Sequence, residues 1–300
     1  MHRTLTAAIA ALACALVSAP ALAQSTIDKI KQTGAITIGH RDASIPFSYY
    51  DDQQKVVGYA MDICNRIVDD VKRELNMPNL KVNYQLVTSA NRIPLMANGT
   101  IDLECGSTTN NVERQKQVSF TNTHFVTANR WVAKKSSNLH SLNDLKGKTI
   151  VSTAGTTNIK QITEINAAQN LGMNIVSANG HPEAFQMVET GRAVAFVMDD
   201  ILLYSLAAQS RNPSEYEISA IALSVEPYGI MLRKDDPAFQ KIVDASTANT
   251  YKSGAINAIY EKWFLKPVPP KGINLNVPVS APLKKVFGAP TNSGEQSSYQ

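Results

Sequence analysis

Apolar residues fall into two alternating periods along most of the chain. Runs at 35–39, 81–87 and 101–105 read as strands, with 101–103 short and apolar. Between them, 61–75 sets Ile63, Ile67, Val71 and Leu75 at helical spacing with Cys64 and Val68 beside them, and Asn76 and Pro78 close the segment. A shorter helix is expected at 27–32, broken by Gly34, and another at 93–97, stopped by Asn98 and Gly99. The pattern then recurs with different residues: strands at 149–153, 174–177 and 193–198, helices at 158–169 and 183–190, with Pro182 near a helix start and Gly191 just past its end. Strands alternating with helices predict an α/β fold with parallel pairing and right-handed crossovers.

Three segments interrupt the pattern. The aromatic, turn-rich 46–59 (PFSYYDDQQKVVGY) reads as an irregular loop, and 125–134 separates the two units without an assigned element. The strand at 230–233 and the helices at 237–253 and 255–263 come too late to extend the second unit and are expected to return to the first. Beyond Pro267 the chain is proline-rich, and its last dozen residues (APTNSGEQSSYQ) have the composition of a flexible end.

The first residues stand apart from this pattern. Arg3, an apolar run over 5–17 and Ala21-Leu22-Ala23 read as a secretory signal cleaved before Gln24, so 1–23 is set aside. A lipoprotein signal ending at Cys14 is the alternative. The formal charge of +4 is too dispersed for a nucleic-acid groove. Export permits a disulfide, and Cys64 and Cys105 remain after processing, but sequence leaves open whether they are in reach. The five histidines show no metal-ligand spacing, and no cofactor or metal site is expected.

Chemistry collects at the polar corners, each at the carboxyl end of an expected strand, where open α/β sheets place ligands. The corner 104–117 (ECGSTTNNVERQKQ) supplies Ser107, Thr109 and Arg114; others supply Arg41, then Ser89 and Arg92, then Thr156 and Thr157, then His181, then Asp199. Singly, each has an ordinary reading as a capped turn, a helix N-cap or a surface arginine. Together they offer three guanidiniums, an imidazole, a carboxylate and several hydroxyls. The complementary ligand carries two negative groups and one positive group, as an acidic α-amino acid does. Gly-x-Ser-x-Gly, P-loop and Gly-x-Gly-x-x-Gly motifs are absent, so nucleophilic catalysis and phosphate cradling find no support.

These stretches carry a resemblance. GHRDASIPFSYYDDQQKVVGY, TSANRIPLMANGT, ECGSTTNNVERQKQ, TAGTT, ETGRAVAFVMDD, YGIMLRKDDP and EKWFLKPVPPK, spanning about 26–272, are similar to the periplasmic solute-binding proteins of bacterial ABC uptake systems, in the glutamate/aspartate branch. The resemblance implies a type II two-lobed clamshell, each lobe a mixed sheet flanked by helices, with chain crossings near 129–132 and 228–231. Lobe one would comprise 24–131 plus 230–280, lobe two 132–229, and 281–300 a flexible tail. It further implies Arg114 with Thr156 and Thr157 on the ligand α-carboxylate, Ser107, Thr109 and Asp199 on the α-ammonium, and Arg41, Ser89, Arg92 and His181 on a side-chain carboxylate. The implied protein is a periplasmic monomer that hands glutamate or aspartate to ABC permease subunits and catalyses nothing. Rival readings are a cyclohexadienyl dehydratase-like enzyme, a sensory ligand-binding module, or a binder of another polar amino acid such as glutamine.

Overall fold

The computed structural model describes residues 25–300; the expected export signal lies outside them. In chain order the elements are α1 (Thr26–Thr33), β1 (Ala35–His40), β2 (Ala43–Ser44), β3 (Ser48–Tyr50), β4 (Val56–Val57), α2 (Tyr59–Glu74), β5 (Lys81–Leu86), α3 (Arg92–Ala97), β6 (Leu103–Cys105), β7 (Val118–Phe120), β8 (Phe125–Lys134), β9 (Thr149–Thr153), α4 (Thr157–Ala168), β10 (Asn174–Ala178), α5 (His181–Glu189), β11 (Ala195–Asp199), α6 (Asp200–Gln209), β12 (Tyr216–Ile218), β13 (Ser224–Tyr228), β14 (Met231–Arg233), α7 (Pro237–Lys252), α8 (Ala255–Tyr260) and α9 (Ala281–Gly288).

Among the described residues, these strands form two main sheets. The first runs β5-β1-β6-β14-β7; the second runs β10-β9-β11-β8-β12, with β13 also on β8. The expected parallel pairing holds for β5-β1-β6 and for β10-β9-β11. The strands next to these parallel sets, β14 and β8, pair antiparallel. Both lobes are therefore mixed sheets. As expected, β14 returns late to the first lobe, where it lies between β6 and β7.

Three expectations need correction. The segment 125–134 is the long strand β8, which carries β11 along one edge and β13 and β12 along the other. Residues 129–132 are therefore inside the second sheet, and the first crossing lies between Phe120 and Phe125; the second, between Tyr228 and Met231, is where it was expected. Residues 46–59 contain β3 and β4, which with β2 make a small antiparallel sheet.

The third correction concerns 281–300, which is not a loose tail. Its helix α9 is N-capped by the Ser280 hydroxyl and buries Leu283 and Val286. Beyond it the Thr291 carbonyl accepts from Thr123 N–H (2.7 Å), and Asn110 Nδ2 donates to the Asn292 carbonyl (2.9 Å). The buried Tyr299 hydroxyl meets Thr123 Oγ1 at 2.8 Å. A polar composition hides this attachment because a few anchors and backbone bonds do the holding.

Packing fixes the lobes and the hinge. Helix α2 buries Ile63, Ile67, Val68 and Val71, each contributing about 1.5–3 kcal/mol. Cys64 on α2 and Cys105 at the end of β6 form a disulfide, with Cα atoms 6.3 Å apart and a sequence separation of 41. Closing a loop of that size stabilises the fold by about 2–4 kcal/mol and pins the start of the polar corner. At the crossings, Phe47 packs its ring 5.0 Å from Phe125 and 5.1 Å from Tyr228, and Phe125 stacks on Phe264 at 4.9 Å.

Candidate functional site

The polar corners meet between the lobes. A narrow cavity is lined by Ser89, Arg92, Ser107 and Thr109 from the first lobe and by Thr156, Thr157, Asn158, His181, Met198, Asp199 and Leu202 from the second. The lobes touch at its rim. A Cβ on Gly155, which holds φ +74°, would lie 2.5 Å from the Ala90 Cα, so only glycine admits this approach.

The first-lobe wall is built on the ends of β1 and β6 and the start of α3. Arg92 opens α3 and is buried; its Nη1 donates to Thr108 Oγ1 (2.5 Å) and to the Ser107 carbonyl (3.3 Å). Thr108 in turn donates to Glu104 Oε2 (2.5 Å). Arg41 is buried next to this group, its backbone N–H held by Ser48 Oγ (2.9 Å). Burial first, then the Arg92 charge, lowers the Arg41 guanidinium to about 10, opposed by Glu104. Arg114 is lowered to about 10 by the same two causes, with Glu226, Asp199 and Glu104 opposing. Both remain charged at neutral pH. Arg114 donates through Nη1 to the Thr109 carbonyl (2.8 Å) and through Nη2 to the Gly155 carbonyl (3.3 Å).

The second-lobe wall is built on the ends of β9, β10 and β11. Thr156 is the N-cap of α4, accepting from Ile159 N–H (3.3 Å) and donating to the Thr153 carbonyl (2.7 Å). His181 opens α5 with Nδ1 2.9 Å from Thr153 Oγ1. Burial, then the charges of Arg41 and Arg92, pushes its pKa well below the ordinary imidazole value, so the ring is neutral. Asp199 accepts from Asn158 Nδ2 (2.8 Å) and from the Tyr228 hydroxyl. Burial and the Glu226 carboxylate push Asp199 up to about 7 against those two hydrogen bonds.

Several buried polar atoms here have no hydrogen-bond partner among the described residues: Arg41 Nε and Nη1, Arg92 Nε, Ser89 Oγ, Ser107 Oγ, His181 Nε2 and Glu104 Oε1. The guanidinium nitrogens among them are obligate donors and the hydroxyls can donate, so the wall is matched to an anionic group. Among the described residues no cluster of three His, Cys, Asp or Glu side chains is placed to hold a metal ion.

This arrangement, two sheet-and-helix lobes closing on a polar cavity at their strand ends, has relatives. The profile of the bacterial extracellular solute-binding proteins, family 3, matches residues 36–266. The chain belongs to that family. It is 51% identical over 290 residues to the L-glutamate/L-aspartate-binding protein of Pseudomonas aeruginosa, covering 95% of this chain and 96% of the other. It is 48% identical over 283 residues to the glutamate/aspartate import solute-binding protein of Escherichia coli, covering 94% and 93%. Among solved structures, the solute receptor for L-cysteine of Neisseria gonorrhoeae matches with a TM-score of 0.70 at 26% identity, covering 84% of this chain and 98% of that one.

In this solute-binding protein, eight of the ten residues singled out from sequence line the cavity. Arg41 and Arg114 are not among its lining residues, and both are in electrostatic contact with Arg92. One expectation shifts: the Thr157 hydroxyl donates to Glu226 Oε2 (2.9 Å), which occupies that hydroxyl's proton. Sequence reasoning assigned no role to Thr108, Asn158, Glu104, Glu226 and Tyr228. Asn158 directly follows the Thr-Thr helix start and was within reach of that signal. The buried acids carried none, because an isolated glutamate usually marks a solvated surface.

Proposed function

We propose that this protein captures L-glutamate or L-aspartate between its lobes in the periplasm and delivers it to the membrane subunits of an ABC importer, as a monomer and without catalysis. The observation that carries the reading is the excess of donors on a buried first-lobe wall facing a carboxylate on the second. Arg41, Ser89, Arg92 and His181 receive the side-chain carboxylate. Arg114 receives the α-carboxylate, with Thr156 and with first-turn N–H groups of α4, which have no intrahelical acceptor. Ser107, Thr109 and Asp199 receive the α-ammonium. The names and high identity of the Pseudomonas and Escherichia relatives support the same ligands.

A ligand held by both walls gains contacts only when the lobes meet, which is the differential affinity that drives closure. Calorimetric titration of the mature protein with glutamate, aspartate, glutamine and prephenate tests the reading. Tight binding of glutamate or aspartate is expected. Tight binding of glutamine alone overturns the charge argument, and turnover of prephenate makes the protein an enzyme on the same fold.

A further inference from the structure

Glu104 lies on β6, a central strand of the first lobe, in register with Gly39 of β1 on one side and Met231 of β14 on the other. Its side chain is 0% exposed. One carboxylate oxygen accepts from Thr108 Oγ1 (2.5 Å), and Thr108 accepts from Arg92 Nη1 (2.5 Å), so a single hydroxyl joins acid to base. The other, Oε1, stands 4.0 Å from Arg92 Nη1. A Cβ at residue 106 would sit 2.4 Å from Oε1 and 3.0 Å from Arg41 Cγ, so Gly106 is what lets the carboxylate fold in close to Arg41. The Glu104 charge also acts on Arg41 and Arg114.

Two guanidiniums, Arg41 and Arg92, thus share one carboxylate of their own lobe. Burying them without it would leave two uncompensated charges; burying them with it leaves a local excess of one. That excess equals the charge of one incoming carboxylate. We propose that Glu104 is a resident counter-ion that sets how strongly the site prefers an acidic side chain over its amide. It stabilises the paired arginines before ligand arrives and moderates the positive potential a ligand meets. The inference rests on the proposed acidic amino-acid ligand.

The test is the Glu104→Gln variant, which keeps the shape and an acceptor for Thr108 while removing the charge. Thermal unfolding is followed for wild type and variant, alone and with equal saturating L-glutamate or L-glutamine. The unliganded variant should melt lower than wild type. The extra stabilisation given by glutamate over glutamine should be larger in the variant, matching a rise in the affinity ratio of about tenfold or more. A purely structural role lowers the melting temperature and leaves that preference unchanged or smaller, which would overturn the proposal. If the variant does not fold alone, it is refolded with either ligand: rescue by glutamate and not glutamine supports the proposal, and rescue by both or neither overturns it. If glutamate fails to stabilise wild type, the ligand reading itself falls and takes this inference with it. If wild type prefers glutamate and the variant shows no greater preference, only the role of Glu104 falls.

Discussion

Arg114 and Gly155 are joined across the lobes: the guanidinium Nη2 donates to the glycine carbonyl over 3.3 Å while Nη1 is held by the Thr109 carbonyl at 2.8 Å. One planar group therefore spans the corner of the first lobe and the helix start of the second. Lysine carries the same charge but lacks the fork. Arg114→Lys should weaken glutamate binding at least about tenfold, and Arg114→Ala should cost about 2–5 kcal/mol of binding. Calorimetry giving the wild-type affinity for Arg114→Lys would remove this residue from the ligand.

Arg41 and Arg92 face the other proposed carboxylate. Truncation of either leaves a desolvated ligand charge short of its partner, and each alanine variant should lose about 2–5 kcal/mol of glutamate affinity. Glutamine, without that charge, should lose less. Undiminished glutamate binding in both variants would sink the assignment.

Asp199 gives a pH signature. Its folded pKa of about 7 stands above the ordinary carboxylate range, so folding takes up a proton. The resulting stabilisation is complete below about 4 and is lost as pH rises through about 7. His181, held neutral by burial, acts in the opposite sense: its contribution is present above about 6.5 and is lost on acidification. Comparing wild type with Asp199→Asn cancels the histidine. The wild-type advantage in melting temperature should shrink between pH 4 and pH 7, and a flat difference would contradict the environment described for Asp199.

The C-terminal segment should matter to stability. Ending the chain at residue 288 removes the buried Tyr299, its contact with Thr123, and the backbone bonds at Thr291 and Asn292. A loss of about 1–3 kcal/mol in denaturant unfolding is expected. An unchanged midpoint would return the segment to the status its composition gave it.

How much of this was legible in the sequence follows from the kind of signal each element carries. Helix α2 and the strands β1 and β9 announce themselves through apolar burial, and the corners after them follow from the strand ends. Strand β8 does not, because Thr127, Asn129 and Arg130 interrupt its apolar positions. Buried Thr127 and Asn129 are made tolerable by partners, Asp200 and Gln161, that no local pattern displays. The tail was misread because Leu283, Val286 and Tyr299 are too few to register as a hydrophobic pattern. Glu104 was hidden for a related reason: its meaning depends on Arg92 and Arg41, which only the tertiary fold brings alongside.

The late return of β14 also dictates an order of assembly. The second sheet is drawn from one unbroken span, Phe125 through Tyr228, whereas β7 at the edge of the first reaches its neighbours only through β14. As the chain emerges from its N-terminus, every strand of the second lobe is available before the first lobe can close its sheet. The lobe that contributes the arginines is therefore the last to be finished, and its apolar faces wait longest for cover.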